Sequence, residues 1–408
     1  MFDHQTMRLT HLSLTQFRNF ARLDINVPQG AVLLVGPNAQ GKTSVLEAIY
    51  YLATMTSFHA STDRELVNFI EARKPLAVGR IVADYEKNNR EHRLEVRIIQ
   101  EQTRKGVVRA RKEVLLDNAK KKMSEVVGHF NAVLFLPQML RVVEGSPSER
   151  RRYLDLAISQ VDSDYAADLS EYGQILSQRN ALLKQLGEQG GDANQLAFWD
   201  ERLAMRGARL IHTRVQAIQE LEGVAGGIHH SLTRGSEVLR MSYRPAYDPA
   251  PTPENQMALM DAPQDRSQFS VDKIESGFRE ALEALRKEEI ARGVTTIGPH
   301  RDELRFISNG VDLGTYGSRG QVRTTMLTLR MAEVEWMKSK TGEWPVLLLD
   351  EVLAELDNER REDLLGRVAQ SEQALLTTTD LNLFEKGFEE GAEVWELSGG
   401  RLNSEKKQ

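Results

Sequence analysis

The chain has 408 residues, 40% of them apolar and 27% charged, which allows two or three domains of ordinary globular composition. It contains no cysteine, so disulfides, thiolate metal sites and a cysteine nucleophile are excluded, and 53 Lys and Arg against 59 Asp and Glu give a net charge of −6, so the molecule as a whole is no polycation. The sequence lacks an apolar run of about eighteen residues, and Met1-Phe2-Asp3-His4 shows no basic region leading into an apolar stretch, so neither a membrane span nor a signal peptide is supported and a cytoplasmic protein is expected.

From about residue 7 to 116 the pattern is β-rich. Residues 8–14, 77–85 and 93–99 read as strands separated by polar turns such as Lys87-Asn88-Asn89-Arg90, and predict a meander around one helix. That helix begins in the most informative stretch of the chain, Gly36-Pro37-Asn38-Ala39-Gln40-Gly41-Lys42-Thr43, which follows the apolar run Ala31-Val32-Leu33-Leu34-Val35. The pattern G-x-x-x-x-G-K-[ST] needs glycines so that backbone N–H groups can curl round a polyphosphate, a lysine for the β and γ oxygens, and a hydroxyl for Mg²⁺. Residues 44–52 leave the loop with helical apolar spacing, so a helix N-terminus faces the phosphates. Gly36, Pro37, Asn38, Ala39, Gln40, Gly41, Lys42, Thr43 and Ser44 are therefore candidate nucleotide-binding residues. A chance glycine turn before a helix does not explain lysine and threonine together.

From Ser148 to about Ile228 the chain becomes long charged helical segments, broken only by the turn composition Gly187-Glu188-Gln189-Gly190-Gly191-Asp192. Two antiparallel helices joined at that turn are expected, with arms of roughly 25 to 35 residues. Residues 245–269 hold Pro249, Pro251, Pro253 and Pro263 and read as a loop, and residues 271–292 alternate Glu with Lys or Arg as one more helix. After Gly293 come a hairpin over 304–313 with an Asn309-Gly310 turn, a helix from about Gln321 to Lys338, a strand over 346–349, a helix from about Asn358, a strand over 373–377 and a closing strand over 393–397. No internal repeat is present. A helical block inserted between two halves of one α/β domain is the economical description.

Pro345-Val346-Leu347-Leu348-Leu349-Asp350-Glu351 is an apolar strand ending in two carboxylates, which is how a hydrolytic phosphate-loop protein presents a Mg²⁺-linked aspartate beside a general base. Asp350 is the candidate Mg²⁺ ligand with Thr43, and Glu351 the candidate base; an acidic strand end that merely meets solvent is the bland alternative, and Glu355 is left unassigned.

Tyr316-Gly317-Ser318-Arg319-Gly320-Gln321 opens a helix shortly before that strand, and Leu356-Asp357 follows it. The order resembles the signature, Walker B and D-loop of ABC-type ATPases, in which the signature of one head closes on nucleotide held by another. Phe17-Arg18-Asn19-Phe20, the phosphate loop, Glu144-Gly145-Ser146-Pro147-Ser148-Glu149-Arg150-Arg151-Arg152, Gln178-Arg179-Asn180, Phe198-Trp199-Asp200 and Gly298-Pro299-His300-Arg301-Asp302-Glu303-Leu304 narrow the resemblance to the RecF family of SMC-like ATPases, over nearly the whole chain. The resemblance implies an α/β ABC-type ATPase head, mixed sheets around a phosphate loop, with an inserted helical lobe carrying a short antiparallel hairpin. The implied division is 1–125 and 296–408 for the two halves of the ATPase lobe and 126–295 for the helical lobe. ATP and Mg²⁺ are the implied cofactors. Lys42, Gln138 and Glu351 are the implied catalytic residues, Gln138 also touching Mg²⁺ or water. Arg18, Asn19, Ser318, Gly320, Gln321 and Asp357 join the loop as nucleotide contacts. The implied activity is slow ATP hydrolysis coupled to homodimerisation on gapped duplex or single-strand/double-strand junction DNA, with RecR and RecO in loading RecA, and no membrane partner.

The chain departs from the family pattern at Gln138, where Glu is frequent, at Arg319 inside the signature, at Glu351 in place of a second aspartate, and near Thr379, where a switch histidine is absent. His300 and Arg301 look functional by resemblance, yet a histidine after proline is as often a satisfied turn residue. Arg104, Lys105, Arg109, Arg111 and Lys112 with Lys120, Lys121 and Lys122 are more often solvated surface than DNA contacts, but are first choice for phosphate contacts. Arg150, Arg151 and Arg152 fit internal ion pairs, and Trp199 fits packing. Two other readings compete. A Rad50- or SMC-like head working with a nuclease or in chromosome organisation predicts a much longer arm; a transporter ATPase predicts a shorter helical insert, a Leu-Ser-Gly-Gly signature and a switch histidine.

Overall fold

The computed structural model describes residues 7–102, 108–250, 265–384, 386–399 and 401–405. Arg104 and Lys105 of the basic run and Pro251, Pro253 and Pro263 of the expected loop lie outside the described residues. In chain order the first elements are β1 (Arg8–Phe17), β2 (Phe20–Asn26), β3 (Gly30–Val35), α1 (Lys42–Thr54), β4 (Leu76–Lys87), β5 (Arg90–Gln102), β6 (Val108–Leu116), β7 (Ala119–Lys121) and β8 (Ala132–Phe135). Next come α2 (Arg141–Glu144), α3 (Pro147–Val161), α4 (Ser163–Gln189), α5 (Leu196–Leu232), β9 (Leu239–Arg244), α6 (Val271–Arg292), β10 (Glu303–Ser308), β11 (Val311–Asp312), α7 (Leu313–Tyr316) and α8 (Arg319–Thr341). The chain closes with β12 (Val346–Asp350), α9 (Asn358–Val368), β13 (Gln373–Thr378), α10 (Lys386–Gly391), β14 (Glu393–Ser398) and β15 (Arg401–Glu405). It forms two units, one of Met1–Met139 with Glu333–Gln408 and one of Leu140–Ala332.

The first unit holds two six-stranded sheets. One is antiparallel, in the order β2-β1-β4-β5-β6-β7, and intersperses buried with half-buried residues along β1 and with half-buried or exposed ones along β4, as a sheet with one wet face does. The other runs β15-β14-β3-β13-β12-β8, with β14-β3-β13-β12-β8 parallel and only the β14–β15 hairpin antiparallel. Every residue of β8, β12 and β13 is buried, which is why these strands are built on continuous apolar stretches, residues 132–135, 346–349 and 374–376. The expected meander is thus two sheets: β3, buried through Val32, Leu33 and Leu34, pairs with β13 and β14 from the far end of the chain. The boundaries expected at 126 and 296 differ from this division for the same reason. β8 pairs with β12 and so belongs to the phosphate-loop unit, while β10 pairs with β9 and carries residues 303–308 into the helical unit.

In the helical unit α4 and α5 form the expected antiparallel hairpin, 27 and 37 residues long, joined through Gly190 and Gly191 with positive φ. A second break, unforeseen from the sequence, separates α3 from α4 at Asp162, whose carboxylate accepts from the N–H groups of Asp164 and Tyr165 and so restarts the helix as an N-cap. α6 covers the hairpin with Ile274, Phe278 and Leu282; Gly207 on α5 lets it approach, since a Cβ there would lie 2.6 Å from the Phe278 ring. Two buried charge clusters pin these helices. Arg179, wholly buried, bonds Asp200 at 2.8 Å, Glu289 at 2.7 Å and the Thr295 hydroxyl at 2.7 Å. Arg214 bonds Asp155 at 2.7 Å, Asp302 at 2.9 Å and the Pro299 carbonyl at 2.6 Å, and Asp302 also accepts from the Tyr243 hydroxyl and the Ala246 N–H. Burial raises the Asp302 carboxyl above its ordinary range against the pull of Arg214.

Candidate nucleotide site

The loop between β3 and α1 is shaped by close approach as much as by dihedral angle. Gly36 and Gly41 have φ of 151° and 110°, and a Cβ would stand 2.4 Å from the Leu397 carbonyl oxygen at the first and 2.5 Å from Asn19 Nδ2 at the second. Asn19 donates from Nδ2 to the Gln40 carbonyl at 3.1 Å, and Gln40 Oε1 accepts from the Gly399 N–H at 2.6 Å, so the loop is held from β1–β2 on one side and from the β14–β15 turn on the other. With α1 beginning at Lys42, its unbonded N–H groups open toward the loop, where an anion is favoured.

Lys42 is buried. Its Nζ donates to the Gly36 carbonyl at 2.6 Å and the Pro37 carbonyl at 3.4 Å, and stands 3.1 Å from Glu351 Oε1. Thr43 Oγ1 lies 2.9 and 3.0 Å from the two carboxylate oxygens of Asp350. Thr377, directly across from Asp350 in the β12–β13 register, donates to Asp350 Oδ1 at 2.7 Å and accepts from the Glu351 N–H at 3.0 Å. Glu351 sits at φ 53°, a left-handed conformation uncommon for glutamate, which turns its side chain from the strand end back over the loop. A hydroxyl and a carboxylate at one point are hard oxygen donors and fit Mg²⁺.

Above this cluster opens a cleft of about 470 Å³, within the usual range for a small-molecule site. Asn38, Ala39, Gln40, Gly41, Lys42, Thr43, Ser44, Asn19 and Glu351 line one part of it; Arg18, Glu47, His59, Glu65, Val67 and Phe69 line the rest. Arg18 is bidentate to Glu47 at 2.7 and 2.6 Å and donates to the Glu65 carbonyl at 3.1 Å. It thereby ties β1 to α1 and to the 63–66 turn, so in this structure its guanidinium serves the wall of the cleft. The 65% exposed Phe69 ring is an apolar surface at the cleft edge that the sequence reading missed. Thr377 was missed too, because only the β12–β13 register shows which threonine of this strand faces Asp350; Thr379 is exposed beyond the strand end.

Other expected site residues are placed elsewhere. Gln138 is exposed on the short turn Pro137–Leu140, which follows β8, the strand paired parallel with β12. Asp357 caps α9, accepting from the Arg360 N–H at 3.0 Å and pairing with the Arg360 guanidinium; that N–H, with the guanidinium, holds its carboxyl below the usual range. In the helical unit Ser318, Arg319 and Gly320 are exposed at the start of α8. Ser318 Oγ accepts from the Gln321 N–H at 3.2 Å and Gln321 Oε1 accepts from the Ser318 N–H at 3.0 Å, a reciprocal capping box.

The family-like basic segments are largely scaffold. His300 is fixed by the Tyr172 hydroxyl at 2.8 Å and the Thr295 carbonyl at 3.3 Å, and burial pushes its imidazolium down to about 4. Arg150 is bidentate to Glu303 at 2.7 and 3.0 Å, and Arg151 donates to the Asp302 carbonyl at 2.6 Å. Trp199 is half-buried edge-on to Phe198. Lys112 pairs with Asp63 at 3.1 Å, and Arg111 and Lys120 share Glu113, whereas Arg109, Lys121 and Lys122 point into solvent as exposed residues. Among the described residues no helix is long and apolar enough to cross a membrane.

Comparison with known proteins gives a consistent result. The model of the RecF/RecN/SMC N terminal domain matches residues 8–399. The chain is 41% identical to the DNA replication and repair protein RecF of Roseiflexus castenholzii over 97% of its own length and 99% of the relative's, and 35% identical to that of Geobacillus thermodenitrificans over 97% and 99%. The solved structure of the recombination mediator protein RecF with ATP, in the RecFOR pathway, matches with a TM-score of 0.84 at 29% identity over 99% of both chains. An Smc head domain from Pyrococcus furiosus, with an extended coiled coil and bound to the C-terminal domain of ScpA, matches with a TM-score of 0.51 at 14% identity over 98% of this chain and 96% of that one, a likeness of fold alone.

Proposed function

The chain belongs to the RecF family, and from that premise we propose that it is a cytoplasmic DNA replication and repair protein, a recombination mediator that binds ATP, closes as a homodimer on DNA and hydrolyses ATP slowly. One observation carries the ATPase reading: Lys42, Thr43, Asp350, Thr377 and Glu351 are linked to one another beside the glycine-rich loop that opens α1.

In this reading the loop N–H groups of residues 38–44 and the Lys42 ammonium bind the polyphosphate, Lys42 exchanging its bond to Glu351 for phosphate oxygens. Thr43 and Asp350 hold Mg²⁺, which when bound neutralises phosphate charge. Thr377 orients Asp350 and fixes the Glu351 backbone. Glu351, once released by Lys42, accepts the proton of the attacking water. Gln138, exposed on the Pro137–Leu140 turn, would contact Mg²⁺ or water. Ser318 and Gly320 of a second copy donate to the bound nucleotide, and Asp357 flanks it. These contacts exist only in the closed pair, so ATP shifts the equilibrium toward closure and hydrolysis reverses the shift.

The exposed Arg109, Lys121 and Lys122 provide cations for DNA phosphates. Gapped duplex or single-strand/double-strand junctions as substrate, and RecR and RecO as partners in loading RecA, complete the proposal. Glu351→Gln tests it: the variant should bind ATP, lose most hydrolysis and accumulate as dimer by light scattering. A monomeric variant hydrolysing at the parent rate contradicts it.

A further inference from the structure

Behind the signature turn lies a polar track that the proposed chemistry does not use. Glu237, between the end of α5 and β9, accepts at Oε1 from Gln321 Nε2 at 3.3 Å; its Oε2 accepts from the Ser308 hydroxyl at 2.7 Å and lies 3.3 Å from His229 Nε2. His229 is wholly buried near the end of α5, with Nδ1 3.1 Å from Thr328 Oγ1. Thr328 donates to the Thr324 carbonyl at 2.8 Å, and Thr324 donates to the Gly320 carbonyl at 2.9 Å. Gly320, Thr324 and Thr328 are four residues apart and so share one face of α8. The track begins and ends in the signature segment, at Gln321 and at Gly320.

The chemistry of these groups has a direction. A glutamine amide presents an acceptor at one end and a donor at the other, and little else distinguishes the two; an ionised carboxylate only accepts. Glu237 therefore draws the NH₂ end of Gln321 toward itself and leaves Oε1 for the Ser318 N–H. With that end fixed, Ser318 Oγ accepts from the Gln321 backbone N–H, which uses an oxygen lone pair and not its own proton. With both amide ends engaged, Gln321 supports the turn in this structure.

We infer that Glu237 is a positioning residue for ATP-dependent closure, setting the orientation of Gln321 and through it the Ser318 hydroxyl. The inference rests on the reading that Ser318 meets nucleotide on a second copy.

The test uses the full chain and two readouts, ATP affinity of the monomer and dimer mass by light scattering in ATP. Glu237→Ala should leave monomer ATP affinity within about twofold and weaken dimerisation by about tenfold or more, the scale of one charge-assisted hydrogen bond. In a Gln321→Ala background the same substitution should add almost nothing, because its effect passes through that amide; a loss that multiplies in full is the mark of mere structural damage and overturns the inference. The exchanged pair, Gln321→Glu with Glu237→Gln, places a donor opposite an acceptor again. It should regain closure that Gln321→Glu alone loses, and keeps the inference testable should Glu237→Ala fold poorly. No regain overturns it. Ser318→Arg is the control: if it dimerises like the parent, the underlying reading fails, whereas if it fails to dimerise while Glu237→Ala dimerises normally, only the role of Glu237 is wrong.

Discussion

In the helical unit Arg179 and Arg214 are wholly buried among carboxylates and hydroxyls supplied by helices and turns far apart in sequence, while in the phosphate-loop unit Lys42, Thr43, Asp350 and Glu351 bond to one another beside an open cleft. Both regions are rich in ion pairs, but they differ in what can replace a partner. Nothing can enter to take the place of Asp302 on Arg214, so that pair serves the fold. In the proposed function phosphate oxygens take the place of Glu351 on Lys42, so there that pair serves a ligand. Partner exchange, more than charge content, separates site from scaffold here.

The contrast is broken most forcefully from the scaffold side. Arg214→Ala leaves the buried Asp302 and the half-buried Asp155 without their cation and should cost about 3–5 kcal/mol in unfolding free energy, measured by denaturant titration. ATP affinity of the remaining folded protein should stay near that of the parent. From the other side, Lys42→Ala should abolish stable ATP binding, a loss of at least about 2–3 kcal/mol or roughly 30- to 150-fold by nucleotide titration, with an unfolding midpoint close to that of the parent. Lys42→Arg should bind ATP and hydrolyse it poorly. If Lys42→Ala unfolds as readily as Arg214→Ala, or keeps full ATP affinity, the distinction is wrong.

A smaller effect sharpens the comparison by pH. The His300 imidazolium is pushed down to about 4 by burial, from an ordinary value near 6.5. Between those two values the unfolded chain takes up a proton that the folded chain refuses, so stability is fully present above pH 6.5, declines as the pH falls toward 4, and levels off below it. Relative to His300→Gln, the parent should lose about 1–3 kcal/mol more across that window in unfolding experiments. Equal slopes for the two proteins would remove His300 from the buried scaffold.

The sequence revealed local features well and pairings between distant segments poorly. The helix Val271–Arg292 was legible from its charge alternation, Ser270 capping one end and Gly293, at φ 66°, closing the other. Lys42, Thr43, Asp350 and Glu351 were legible because a strand, a loop and a carboxylate pair each carry a chemical pattern. The Asp162 cap inside the helical arm was overlooked because a single aspartate does not interrupt helical spacing. The pairing of β3 with β13 and β14, the membership of β8 and β10, and the placement of Thr377 opposite Asp350 join residues hundreds of positions apart or depend on strand register. Gln138 was carried over by residue type, and its position on an exposed turn could not be read from its neighbours in sequence.

Closure of two copies through Ser318 is the central step of the proposed function. The most direct measurement is the mass of Ser318→Arg protein in ATP, alone and mixed with Lys42→Ala protein, followed by light scattering. Ser318→Arg alone should bind ATP nearly as the parent does and remain monomeric. The mixture keeps one intact phosphate loop facing one intact signature and should recover part of the dimer. Ser318→Arg that dimerises with ATP as fully as the parent would contradict the composite site, even with ATP binding intact.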